Sequence, residues 1–147
     1  MHHLITCPAY SQLWSEVFAS LKAKLHISLE KMFADHLNLD ALINSISRTI
    51  IGSTANSTAF KDLQTYVKIK STIITELVKL GLCSNSEAKK LSYSVLWEFF
   101  KLFKAHIWLT YCEFMITWEK RLNIATSDKR SHNFSVIDLF FVVFNLL

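Results

Sequence analysis

Glycine and proline are almost missing from this chain, with two and one among 147 residues. So few turn formers exclude a β-sandwich or a multi-bladed β fold, which need one at most strand reversals. Cysteine is sparse as well. Cys7, Cys83 and Cys112 form an odd set without a CxxC pair, a pattern that fits reduced thiols in an intracellular protein, cytoplasmic or nuclear. Met1–Cys7 carries no basic leader, and the apolar run before Pro8 is only Leu4 and Ile5, so no secretory signal is expected. Catalytic signatures are lacking too: there is no Gly-rich phosphate loop, no GxSxG, no HExxH and no Asp-Asp pair. An enzyme is not expected, and no catalytic or cofactor-binding residue is assigned. Asp35, His36, Asp40, Asp62 and Glu76 read as solvated surface groups, and His106 as a structural histidine.

What is present is apolar and aromatic. Apolar residues make up 51% of the chain, aromatics 13% and charged residues 19%, which excludes intrinsic disorder. The length fits one core, and the periodicity points to an all-α domain of five or six helices. The formal charge is only +4, and its lysines and arginines are spread along the chain rather than gathered in one block.

The first helix is expected over about Pro8–Leu25, with Leu13, Val17, Leu21 and Leu25 at intervals of four and Trp14 and Phe18 widening the stripe. A short helix over about Ser28–His36 would begin at Ser28 as N-cap. A third spans about Leu39–Ile51, between Asn38 and Gly52. Ser53–Ser57 reads as a surface loop. A fourth helix, about Thr58–Leu80, should carry Phe60, Leu63, Val67, Ile74, Leu77 and Val78 inward and end at Gly81. Ser84-Asn85-Ser86-Glu87 is a capping box, after which nothing stops the helix until about Leu122. At 1.5 Å per residue such a helix approaches 57 Å, against a diameter of about 40 Å for a compact chain of this size. It must bend (Ser92–Ser94 or Thr110 being the expected places), protrude, or meet a partner. Val95, Phe99, Leu102 and Phe103 share one side of it, while Trp97, Phe100, Trp108 and Met115 lie round the cylinder, which predicts burial on several sides.

Asn123–Asn133 reads as a loop that closes a helical domain over 1–133. Phe134–Leu147 is almost wholly apolar, yet as a helix it would reach only about 21 Å, short of the ~30 Å hydrocarbon layer. It could dock on the core, touch a membrane, mediate self-association, or extend without fixed structure.

One stretch carries a likeness. His2-His3-Leu4-Ile5-Thr6-Cys7-Pro8-Ala9, with Trp14 beyond it, resembles the downstream half of the zinc-binding region that follows the reverse transcriptase of non-LTR retroelements. That module ends in a His, four residues, a Cys, then Pro-x-Ala and a Trp on the next helix. His2, Cys7, Pro8, Ala9 and Trp14 hold those places, and the likeness covers about 1–18. A softer echo, Trp108-Leu109-Thr110-Tyr111-Cys112 with Trp118-Glu119 and Ile124, is similar to the helical tail of some fungal retroelement proteins, with Tyr111 where that pattern commonly has Arg. The resemblance implies a remnant of such a protein, with His2 and Cys7 as two of the four ligands a structural zinc needs. The family's other pair, Cys-x2-Cys, would lie upstream of Met1, so the expectation is no bound metal and no cofactor. The functions left open are a non-catalytic helical fragment with at most weak nucleic-acid contact, through residues such as Lys89, Lys90, Lys101, Lys104, Lys120, Arg121, Lys129 and Arg130, or an interaction or membrane-associated protein working through Phe134–Leu147.

Overall fold

In the computed structural model, residues 2–124 are described, His2 and His3 by their backbone alone. The expected apolar tail Phe134–Leu147 and nearly all of the loop before it lie outside the described residues. The element order is α1 (His2–Thr6), a 3-10 turn (Pro8–Tyr10), α2 (Ser11–Met32), α3 (Leu39–Ile51), α4 (Thr58–Tyr66), α5 (Ser71–Lys79) and a long α6. Three stretches follow one another in α6 without interruption: Asn85–Leu102, a π turn at Phe103–Trp108, and a distal segment Leu109–Arg121. No strand occurs among the described residues, and the fold is an all-α helical bundle.

α2 is the spine. Val17, Leu21, Leu25 and Leu29 recur every four residues and are all buried, joined by Trp14 and Phe18. This stripe explains why the expected break near Ser28 is absent. Burying Leu29 in line with Leu25 outweighs the local preference of Ser28 for a cap, and one helix runs to Met32. α3 keeps its expected limits. Asn38 stands at its N-cap position without a side-chain cap bond, and Gly52 ends it at φ +82°, ψ −176°. That backbone is open to glycine almost alone, and a Cβ there would also collide with the Ser57 side chain. Ser57 Oγ in turn donates to the Ile51 carbonyl at 2.9 Å, satisfying an orphan acceptor at the helix end.

The helix expected over 58–80 is two. Val67 adopts left-handed φ 50°, ψ 41°, α4 stops, and α5 restarts at Ser71. A straight helix would set Leu77 about 25 Å along the axis from Phe60. The break instead lays α5 against α3 and α6, with Leu77 fully buried. A left-handed valine costs about 1–2 kcal/mol, which that packing offsets. Asp62 and Lys70 bridge the break at 2.7 Å, and this hydrogen bond raises the Lys70 pKa. Val78, expected inside, is instead exposed. Gly81, at φ +68°, closes α5 as expected, with the Leu82 N–H donating back to the Leu77 carbonyl at 3.1 Å.

α6 begins in the expected capping box. The Glu87 N–H donates to Ser84 Oγ at 3.2 Å, and the Ser84 N–H donates to Glu87 Oε2 at 2.8 Å. Those bonds hold the Glu87 carboxyl below its ordinary pKa. Neither expected bend site interrupts the helix. Ser92 Oγ donates to the Ala88 carbonyl and Thr110 Oγ1 to the His106 carbonyl, both at 2.8 Å, so each hydroxyl is satisfied inside the helix.

The irregularity comes at Phe103–Trp108, for a reason written in the spacing. Leu91, Val95, Phe99, Phe103 and Ile107 recur at intervals of four and are all buried. In a regular helix each such step drifts about 40° round the axis, or roughly 160° over four steps. A wider turn rotates less per residue and takes up part of that drift, keeping Phe103 and Ile107 on the core side. Burial on several sides does not occur: Trp97 is exposed, Phe100, Trp108 and Met115 are half-buried, and the distal segment buries no residue.

Rings meet at the centre. Trp14 stacks on Phe99 and Phe103 at centroid distances of 6.3 and 5.9 Å and meets Phe60 edge-on at 6.3 Å, while Phe18 meets Phe60 edge-on at 5.0 Å. Replacing Trp14 by Ala should lower stability by about 3–5 kcal/mol, read from urea unfolding. Gly52→Ala should also destabilise, by more than the few tenths typical of a surface change, because no L-residue adopts its backbone without strain. Wild-type stability in either variant would refute these assignments.

Candidate functional site

At the N-terminus, local chemistry fixes the motif residues. Cys7 has extended backbone, φ −70°, ψ 122°, and stands at the N-cap of the Pro8–Tyr10 turn, where Pro8 supplies a preset φ. Its carbonyl accepts from the Tyr10 N–H at 3.0 Å, and its thiol is half-buried. Burial, and then the neighbouring Cys7 and Tyr111, push the Tyr10 hydroxyl pKa up. His2 lies on α1. Trp14 works inside the protein, as its place on the apolar stripe predicts: its indole N–H donates to the Leu4 carbonyl at 2.9 Å and ties α1 to the ring cluster. Among the described residues no three His, Cys, Asp or Glu side chains gather as a metal site. Cys83 and Cys112, the other two thiols, are each half-buried, with thiol pKa values raised by burial, and at Cys83 also by Glu87.

His106 falls in the π turn, partly exposed, with Nδ1 4.0 Å from Glu16 Oε2 on α2. A distance at the outer limit of an ion pair, at the surface, gives it no built site.

A second locus, on the outer side of α6, was not legible as a site. Lys90, Tyr93, Trp97 and Lys101 follow one another at intervals of three, four and four, which places them on one helical face. Tyr93 is 65% and Trp97 54% exposed, although both are residues whose apolar bodies usually seek the interior. Lys101 Nζ lies 5.9 Å from the Trp97 ring centroid, within cation–π range. Lys89 and Lys104 are exposed beside this stripe. The spacing alone was the available signal, and it was masked by the expectation that aromatics on a long helix are buried.

Electrostatics temper the stripe. Glu98 sits between two cations, 2.9 Å from Lys24 on α2 and 2.6 Å from Lys101, with 22% of its side chain exposed. Burial alone would raise its pKa, but the hydrogen bonds from Lys101 and Lys24 outweigh that and leave it lowered. A lowered carboxyl pKa contributes stability that is present above the unfolded value and is lost as pH falls through the folded one. Both lysines are nearly half exposed, so screening keeps the contribution to about 0.2–1 kcal/mol. Glu98→Gln should therefore destabilise modestly at pH 7, and the difference should vanish below the ordinary carboxylate range. A difference that persists at pH 2 would show that packing, not charge, is responsible.

Comparison with protein-family models, curated proteins and solved structures finds no match to this chain.

Proposed function

We propose that the protein is a non-catalytic helical binding protein that makes weak, sequence-independent contact with single-stranded nucleic acid along the outer face of α6. The observation that carries this reading is the exposure of Tyr93 and Trp97 between lysines on one face. Exposed aromatic faces accept unstacked bases of any identity, each worth about 1–3 kcal/mol, while lysines track the phosphates. Glu98 offsets part of the charge around Lys101, which supports weak rather than tight contact. Lys129 and Arg130, expected to add to the basic half, lie outside the described residues. So does the tail on which the alternative reading, an interaction or membrane-associated protein, would depend; no described helix is long and apolar enough to cross a membrane.

The same reading takes the first eighteen residues as descended from the zinc-binding region of a retroelement reverse-transcriptase protein. The order His2, Cys7, Pro8, Ala9, Trp14 supports it. Genomic sequence just upstream of Met1 tests the descent: a Cys-x2-Cys in any frame supports it, and unrelated sequence there counts against it.

Titration of a labelled single-stranded oligonucleotide, followed by anisotropy, tests the function. With about three phosphate contacts, log affinity should fall against log salt with a slope near −2, or roughly 15- to 20-fold between 50 and 200 mM. Tyr93→Ala with Trp97→Ala should weaken binding by a further tenfold or more, at about 1–3 kcal/mol per stacked base. Absence of binding at low salt would remove nucleic acid from the account.

A further inference from the structure

One carboxylate stands where a phosphate would be drawn. On Glu98, Oε1 lies 2.6 Å from Lys101 Nζ and Oε2 lies 2.9 Å from Lys24 Nζ, so each oxygen holds its own cation. Lys101 comes from the next turn of α6, and Lys24 from α2, which packs along it. The carboxylate thus joins two helices through two lysines. A phosphodiester also presents two anionic oxygens on one centre, and lysine meets either anion as a point charge.

Position relates this pair to the rings. Glu98 follows Trp97 directly and lies about 100° round the helix from it, toward α2. Lys101 is four residues beyond Trp97 and three beyond Glu98, so it neighbours both. Its Nζ lies 5.9 Å from the indole centroid while it bonds Glu98. A base stacked on Trp97 would bring its phosphate up to a cation that Glu98 already holds. Lys24, on the other side of the carboxylate, is no part of the stripe along α6.

The grip is of a kind that can be exchanged. Lys24 and Lys101 keep 47% and 46% of their side chains exposed, so an incoming anion reaches both without opening the core. Pairs this exposed are screened and weak. Glu98, at 22%, sits deeper, and the two lysines hold its pKa below the ordinary value. It stays ionised at neutral pH, where it competes continuously. The fold does not depend on it, because α2 and α6 are already joined through the apolar residues of the common core.

We propose that Glu98 is an internal competitor for phosphate, holding Lys24 and Lys101 in a two-helix clamp that a single strand must take over. The proposal rests on the nucleic-acid reading above, and it extends that site from α6 onto α2.

The test titrates a labelled single-stranded oligodeoxythymidylate into the full chain, wild type and Glu98→Gln, by anisotropy at several salt concentrations. Each lysine released adds one phosphate contact and steepens the slope of log affinity against log salt by about 0.7. Glu98→Gln should therefore bind about fivefold or more tighter at 50 mM salt, with the slope moving from near −2 toward about −3. Adding Lys24→Gln to that variant should remove about half of the gain, since one of two added contacts is lost. Glu113→Gln removes the same charge from the exposed distal segment of α6 and should leave the slope unmoved. A purely structural role for Glu98 would lower stability without tightening binding, so affinity and stability should move in opposite directions. Wild-type binding with no gain in Glu98→Gln, or with an equal gain in Glu113→Gln, overturns the proposal and leaves the nucleic-acid reading standing. A gain that Lys24→Gln does not diminish overturns the clamp across two helices. No binding by wild type or by Glu98→Gln removes both the proposal and the reading beneath it.

Discussion

The indole of Trp14 is the joint on which the other contacts rest. Its faces stack against Phe99 and Phe103 of α6, its edge meets Phe60 of α4, and its N–H closes on the Leu4 carbonyl of α1. Among the described residues, α1, α4 and α6 therefore converge on one side chain of α2. Each aromatic pair adds about 0.5–1.5 kcal/mol beyond its buried area, and the N–H, enclosed in an apolar core, would be costly without its acceptor. α3 and α5 join this centre through aliphatic packing: Ile43, Ile46, Ile50 and Leu77 are all buried in the same core. In a chain with two glycines and three half-buried, unbridged thiols, burial of side chains is the main force available.

That same force explains why α6 changes character along its length. Up to Ile107 its inner residues have α2 and α5 to pack on. Beyond the π turn no described residue of the helix is buried, and contact with the core thins to half-buried Tyr111 packed against it. A helix of 37 residues is longer than the core it serves, a mismatch visible in the absence of any stop signal between the capping box and Leu122. Its two uncovered surfaces differ in kind. One interleaves lysine with aromatic rings, and the other, beyond the π turn, exposes Leu109, Phe114, Ile116, Trp118 and Leu122.

What could be read from the chain beforehand was whatever local chemistry decides. The Ser84–Glu87 box, the limits of α3 and the stop at Gly81 depend on a few neighbouring residues, and they were legible. Ser28 misled because a cap preference of about 1 kcal/mol competes with burial of Leu29, which only tertiary structure reveals. Val67 misled in the other direction: a left-handed valine leaves no mark in sequence, and only the packing of α5 accounts for it. At the candidate site, Cys7, Pro8 and Trp14 drew attention as a motif, but the indole is occupied in the core. Tyr93 was passed over and Trp97 was expected to be buried, because hydrophobicity alone cannot separate a ring that faces a neighbour from one that faces water.

The π turn at Phe103–Trp108 makes α6 behave like a shaft with a fixed offset cut into it. An extra residue is accommodated there without lengthening the ladder by a full step, so everything beyond is rotated by about 100° from where a regular helix would carry it. Removing one residue from this stretch would let the hydrogen bonds close regularly and leave the whole far end facing as it does now, since the turn has already absorbed that residue's rotation. The turn thus holds one codon in reserve, which could be lost without unseating Leu91, Val95 and Phe99 and without re-aiming the outer third of α6.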